Sequence, residues 1–176
     1  DNFIGAFLTG AGNEPGAGTT KEWADFSDQI QSFALQTRLK IPILHGIDAV
    51  HGHNSVDDAV IFPHNIGLGC IQDTALIEKI YQITAKEVAG TGIRWTFAPC
   101  IAVSRDERWG RTYESYSENT DLVTMLSRLT IRGLQGNNLN ASSSILACAK
   151  HFLADGGTNN GINAGNAQIS EEELRA

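Results

Sequence analysis

No apolar run in this chain approaches the roughly 18 residues that a membrane-crossing helix needs, so no membrane partner is expected. No basic stripe gathers anywhere either. The 13 lysines and arginines face 20 acidic residues, the formal net charge is −7, and nucleic acid is not an expected partner. Cysteine is scarce: the three present, Cys70, Cys100 and Cys148, cannot all pair within the chain. Each stands among apolar residues, so buried free thiols are expected rather than disulfides or metal ligands. There is no nucleophile elbow and no phosphate-cradling loop with its lysine. His51 and His53 form a pair, but no cysteine or carboxylate at suitable spacing completes a zinc set. Residues 67–72 are an incomplete dinucleotide fingerprint, without the third glycine and after a loop rather than a strand. A charged leader with an apolar core is also missing, and the first residue is Asp1, so the chain is expected to begin part-way through a longer polypeptide or after processing. The sequon at Asn140 is too common a pattern to assign a compartment.

What is present describes one globular domain. The 176 residues are 41% apolar, enough for a real core. Strands are expected over 2–9, 41–47, 93–99 and 145–150, each a short apolar run. Between them fall helical patterns. Thr20 is placed to cap the first, with Trp23, Phe26, Ile30 and Phe33 at helical spacing. Asp73 caps the second, whose Ile77, Ile80, Tyr81, Thr84 and Val88 share a face, and Gly90 and Gly92 end it. The third runs over about 120–134 with Leu122, Met125, Leu126 and Leu129, closing at Gly133 or Gly136. Ser170 through Glu173 reads as a capping box, one turn before the chain ends. Strands alternating with helices at this spacing imply parallel crossover units, about four of them. So short a last helix cannot hold itself together, which implies a domain that continues.

Three strand ends carry chemistry. In a barrel of alternating strands and helices, the loops after the strands share one face. Asp48 ends the second strand, after a Gly46 that is expected to let the backbone approach a ligand; a carboxylate there can accept two hydroxyl hydrogen bonds, as sugar recognition often requires. The loop after the third strand holds Arg105, Arg108 and Arg111 among carboxylates and two aromatics. An arginine fixed by a neighbouring carboxylate, Glu114 or Glu118, would present a rigid fork to an oxygen-rich ligand. Lys150 and His151 end the fourth strand. Adjacent strand residues point to opposite faces, so both reach one pocket only if the backbone departs from a regular strand there. The alternatives are a capping role for Asp48, a salt-bridged surface loop at 105–114, and a single inward side chain at 150–151.

The chain resembles the N-terminal barrel domain of glycoside hydrolase family 3, in its β-glucosidase and exo-β-glucanase branch. The matching segments are 41–52, Phe62 to Asn65, Phe97 to Pro99, 105–118, Ala149 to Phe152 and Asp155 to Gly157, in the family's order along nearly the whole chain. The resemblance implies an α/β fold, a partial (β/α)8 TIM-type barrel, with residues 1–176 the N-terminal part of that domain, truncated at both ends. It implies that Asp48, Arg111, Lys150 and His151 hold the hydroxyls of the sugar beside the cleaved bond. The family's nucleophile is an aspartate on a later strand, and the general acid of this branch usually comes from a second domain. No catalytic residue is therefore expected within the chain, and Asp25 and Asp155 are not substitutes. Leu153 through Gly156 stands where the β-N-acetylhexosaminidase branch has Pro-Gly-His-Gly, which disfavours that branch. Ala164 departs from similar plant exo-glucanases, which have a glutamate there.

The implied activity is that of a retaining, exo-acting β-glucosidase on β-glucosides or β-glucans. It needs no metal and no organic cofactor, and a periplasmic or extracellular setting is favoured. The missing C-terminal part of the same chain is the expected partner, and the 176 residues alone are expected to be inactive. Two rivals are a non-catalytic carbohydrate-binding module and a dinucleotide-dependent oxidoreductase. The latter needs the Gly67 loop to join a strand to a helix.

Overall fold

A computed structural model describes residues 4–10, 12–71 and 73–175. Strands β1 (Ala6–Thr9), β2 (Leu44–Ile47) and β3 (Trp95–Thr96) form a parallel sheet in that order. Ala6 pairs with Leu44 and Thr9 with Ile47; Gly46 pairs with Trp95. The expected fourth strand, 145–150, joins β3 as a broken parallel ladder with bridges at Leu146 and Lys150. Leu146 N donates to Arg94 O (2.8 Å), Cys148 N to Ala98 O (2.8 Å) and Lys150 N to Pro99 O (3.0 Å). Pro99 has no N–H to return, so the ladder is interrupted beside it. The strands are shorter than their apolar runs: Ile41 and Pro42 lie outside the ladder, and Asn2 and Phe3 lie outside the described residues.

The helices are α1 (Thr20–Gln36), the short α2 (Asn65–Leu68), α3 (Thr74–Gly90), α4 (Thr120–Gln135) and α5 (Glu171–Arg175). The cap of α1 is Thr19, not Thr20. Only Thr19 has a glutamate three residues on: Glu22 Oε2 accepts from Thr19 N (3.0 Å) and Thr19 Oγ1 from Glu22 N (3.3 Å). Asp73 caps α3 as expected, accepting from the amides of Ala75 and Leu76, and Asn119 does the same for α4. The Ser170–Glu173 box forms at the start of α5. Gly136, at φ 58°, closes α4.

One core joins Trp23 of α1, Ile47 of β2, Ile77 and Val88 of α3, Leu126 and Leu134 of α4, and Ile93 and Ile145 beside the sheet. All five apolar-face positions read on α3 are buried. Phe33 of α1 and Met125 of α4 are exposed instead. For α1 the reason is length: a 17-residue helix runs about 26 Å, whereas a four-residue strand covers about 13 Å. Its last turns therefore pass beyond the sheet. Cys100 is buried, but Cys148 is half-buried and Cys70 exposed, and all three are free thiols. The expectation of burial fails at Cys70 because the turn after α2 sends Leu68 inward and Cys70 outward.

Buried polar side chains tie the layers together. His45 lies between Thr9 Oγ1 (2.6 Å) and Ser27 Oγ (3.2 Å), linking β1, β2 and α1, and stacks on Phe7 at 4.1 Å. His53, 1% exposed, bonds Thr91 Oγ1 (3.0 Å). His51 turns elsewhere, to Phe62 O (3.1 Å) and against the His64 ring at 4.0 Å, so the two rings of the sequence pair take different partners. Residues 65–68 of the glycine-bearing segment are helical, with no strand running into them, which removes the geometry a dinucleotide loop requires.

Two outcomes follow from this packing. A Cβ at Gly133 would sit 2.7 Å from Glu78 O and 2.8 Å from Tyr81 Cβ, where α4 crosses α3. Gly133→Ala is expected to lower stability by about 1–3 kcal/mol, read as a drop in urea midpoint. Burial brings His45 and His53 down to about 4, with the His45 charge also acting on His53. The folded state thus stays neutral while the unfolded chain takes up protons below about 6.5. Stability should therefore fall with pH between about 6.5 and 4, by up to about 1.4 kcal/mol per unit for each histidine, and level off below. Urea titrations across this window should lose that slope when both are replaced by glutamine.

Candidate active site

Asp48 leaves the sheet directly after β2, and its turn is clamped from the next strand. Thr96 Oγ1 donates to Ile47 O (3.0 Å) and accepts from Ala49 N (3.1 Å). With its amide nitrogen turned toward these carbonyls, Asn54 donates to Asp48 O (2.9 Å) and Gly52 O (3.2 Å). Gly46 has a packing reason to be a glycine. A Cβ there would meet Phe97 Cζ and Trp95 Cε3, each at 2.7 Å.

The loop after β3 is neither a loose surface loop nor uniformly buried. Arg108 forks onto Asp106 at its exposed rim, with Nη2 to Oδ2 at 2.6 Å. Trp109 is buried against Cys100 and Ala102. Between them and the sheet, a 3-10 turn at Thr112–Glu114 aims two opposite charges at each other. Arg111 Nε and Nη2 donate to Glu114 Oε1 (2.6 Å) and Oε2 (2.9 Å). Glu114, rather than Glu118, is the carboxylate that fixes the arginine.

A buried hydrogen-bond chain holds this turn from behind. Asn65 Nδ2 donates to Glu114 O (2.8 Å), Tyr81 OH to Asn65 Oδ1 (2.7 Å), and Tyr116 OH to Tyr81 OH (3.0 Å). Tyr116 OH also meets Thr130 Oγ1 at 2.6 Å. Burial pushes Tyr81 up to about 12 and holds Tyr116 well above the usual tyrosine value, so both hydroxyls stay protonated donors.

Lys150 arrives from the fourth strand. Its Nζ donates to Asp48 Oδ1 (3.0 Å) and lies 3.8 Å from Glu114 Oε2, with only 12% of the side chain exposed. The backbone here departs from a regular strand, as two adjacent site side chains require: the Lys150–His151 and Phe152–Leu153 peptides are cis. His151 lies within the field of Arg111, Lys150, Asp155 and Glu114. Its Nδ1 is 3.0 Å from Asp155 Oδ2, though out of line for a hydrogen bond.

Asp48, Lys150 and Arg111 are therefore joined through Glu114, while His151 stands in their electrostatic field beside Asp155. Glu114 was one of two sequence candidates. Asp155 was set aside, and the signal for it was its place four residues after His151 with glycines behind it. The electrostatics follow from this closeness. Burial pushes the Glu114 carboxyl up, but the Arg111 bonds and the Arg111 and Lys150 charges outweigh it, so it titrates below its usual value. The Glu114 bond raises Arg111. Burial first, then the Arg111 and Lys150 charges, lower His151 against the pull of Asp155 and Glu114. Among the described residues the bonds use Asp48 Oδ1 and Arg111 Nε and Nη2, leaving Asp48 Oδ2 and Arg111 Nη1 for a ligand. Three carboxylates, two cations and a neutral imidazole make a cluster rich in both donors and acceptors, the chemistry a polyhydroxylated ring calls for.

A parallel α/β sheet with its polar cluster at the carboxyl ends of successive strands defines part of a (β/α)8 barrel. The chain belongs to the family described as the glycosyl hydrolase family 3 N terminal domain, matched over residues 1–176. It is 32% identical to the lysosomal beta glucosidase of Dictyostelium discoideum over 98% of this chain and 22% of that protein. It is 30% identical to the periplasmic beta-glucosidase of Salmonella typhimurium over 89% of this chain and 19% of that one. The solved exo-1,3/1,4-beta-glucanase of a Pseudoalteromonas species superimposes with a TM-score of 0.87 at 46% identity, over 97% of this chain and 23% of that one. The chain thus spans about a fifth of the length of the curated relatives it matches.

Removing the central carboxylate tests this arrangement. Glu114→Gln leaves Arg111 and Lys150 facing each other without their shared counter-charge, and should cost about 1–3 kcal/mol of stability. Asp106→Asn, which removes the charge from the rim pair while its Oδ1 can still accept from Arg108 N, should change the urea midpoint much less.

Proposed function

We propose that this chain is the sugar-gripping part of a retaining, exo-acting β-glucosidase that releases glucose from the nonreducing end of β-glucosides or β-glucans. The observation that carries the reading is the meeting of Asp48, Arg111, Lys150 and His151 around Glu114 at three successive strand ends. In this reading Asp48 accepts from two sugar hydroxyls, Arg111 and Lys150 donate to ring substituents, and His151 closes the side of the site. These bonds strengthen as the ring flattens toward the oxocarbenium state, which lowers the barrier rather than only tightening binding.

Retention also requires a carboxylate pair about 5–5.5 Å apart across the bond, one as nucleophile and one as acid and base. Glu114 is committed to Arg111, and Asp155 to the neighbourhood of His151. The nucleophile and the acid/base group are therefore assigned to parts of the protein beyond these 176 residues, which form the N-terminal part of a longer barrel domain. The short share of each relative that the chain covers supports this. A periplasmic or extracellular setting is part of the proposal, supported by relatives named for the periplasm and the lysosome.

The full-length protein should hydrolyse an aryl β-glucoside. Asp48→Asn should lower kcat/KM by about 10²-fold or more, as expected for losing charge-assisted bonds to two hydroxyls. Residues 1–176 alone should show no turnover. A full-length protein inert toward β-glucosides, or one that prefers a β-xyloside, would overturn the assignment, as would turnover by the isolated segment.

A further inference from the structure

Asp155 has no part in the reading above, yet it is only 14% exposed at the side chain and its Oδ2 lies 3.0 Å from His151 Nδ1. Among the described residues no backbone amide of its own loop bonds to this carboxylate, so it is not simply a turn cap. The loop that carries it is fixed independently. Ala154 adopts φ 62°, Gly157 N donates to Ala154 O (3.0 Å), and Arg105 N donates to Gly156 O (2.9 Å). A Cβ at Gly156 would run into the Val103 carbonyl, and one at Gly157 would meet Ile169 Cδ1 at 2.8 Å. The carboxylate is thus delivered to the imidazole by a loop pinned against residues 103–105.

We propose that Asp155 is a positioning residue for His151, fixing the imidazole with Nδ1 toward the carboxylate and Nε2 toward the bound sugar; this rests on the sugar-site reading. A carboxylate only accepts, so a neutral imidazole beside it keeps its proton on Nδ1 and presents Nε2 as an acceptor for a hydroxyl. Contacts of this kind are often poorly aligned until substrate fills the site, which agrees with the off-line angle at Nδ1. The other charged groups facing the ring are Arg111 and Glu114 from the 3-10 turn and Lys150 from its own strand. Two of these are cations. Without Asp155 the ring would stand in a more positive field and lose the group that selects its tautomer.

The experiment uses the full-length protein with Asp155→Asn and Asp155→Ser, taking forward whichever retains the wild-type melting temperature. First, the rate of diethylpyrocarbonate modification at His151, followed by peptide mass spectrometry across pH, gives the imidazole titration without any sugar. It should move to lower pH in the variant by about half a unit or more. An unchanged titration overturns the proposal. Second, kcat/KM for an aryl β-glucoside should fall about tenfold in the wild-type background, and very little further in a His151→Asn background. Equal losses in both backgrounds mean that Asp155 does not act through His151, and overturn the proposal. A wild-type protein with no glycosidase activity sinks the sugar reading, while the modification profile still decides whether Asp155 governs the imidazole.

Discussion

The site depends on one carboxylate. Glu114 is 7% exposed, and placing a charge there is unfavourable unless it is compensated. Arg111 supplies two parallel bonds and Lys150 a third positive contact, so the carboxylate stays ionised despite its burial. The benefit runs both ways. Two cations brought to one hollow repel each other unless a counter-charge lies between them. Glu114 supplies that counter-charge to both, and the bonds among the described residues leave Arg111 Nη1 and the second oxygen of Asp48 unused. The polar groups satisfy one another first and a ligand second. Groups that already satisfy one another need little reorganisation to receive a ligand, which is the condition under which such bonds lower a barrier.

That carboxylate is held as firmly from behind as from in front. The Asn65–Tyr81–Tyr116–Thr130 chain connects the backbone of the 3-10 turn to α3 and α4. The same two helices pack so closely at Gly133 that no side chain fits. The arginine fork is thus connected, through buried hydroxyl and amide groups, to the helix pair that closes at Gly133.

The order of elements was legible from apolar periodicity, and the caps at Asp73 and Ser170 from their chemistry. Boundaries were less so. Strand length depends on where a neighbouring ladder stops, and the partner of 145–150 includes Pro99, which no local pattern at 145–150 reveals. Phe33 looked like core by spacing, but burial also requires a sheet long enough to cover it. Gly46 illustrates the same gap in another form. Its missing side chain makes room for Trp95 and Phe97, nearly 50 residues away, so the reason for the glycine lies on another strand.

Asp48, Lys150 and His151 were legible because they end apolar runs, and Arg111 because it stands in the charged loop that follows one. Their neighbours were not, because a carboxylate in a loop looks the same whether it faces water or an imidazole. Glu114 and Glu118 are alike by composition, and only the tightness of the 3-10 turn puts the former against Arg111 at i, i+3. Asp155 passed as a loop residue for the same reason: only the fold shows that residues 103–105 pin the glycines behind it. The distinction has a consequence for how the cluster treats a ligand. Lys150 and Arg111 are held by carboxylates that do not depend on a sugar being present, whereas the imidazole is neutral and its contact to Asp155 is out of line. Of these four groups, His151 therefore has the most room left for realignment. In the proposed sugar-binding role it would be the member best placed to bond more strongly to a ring that is changing shape than to one at rest.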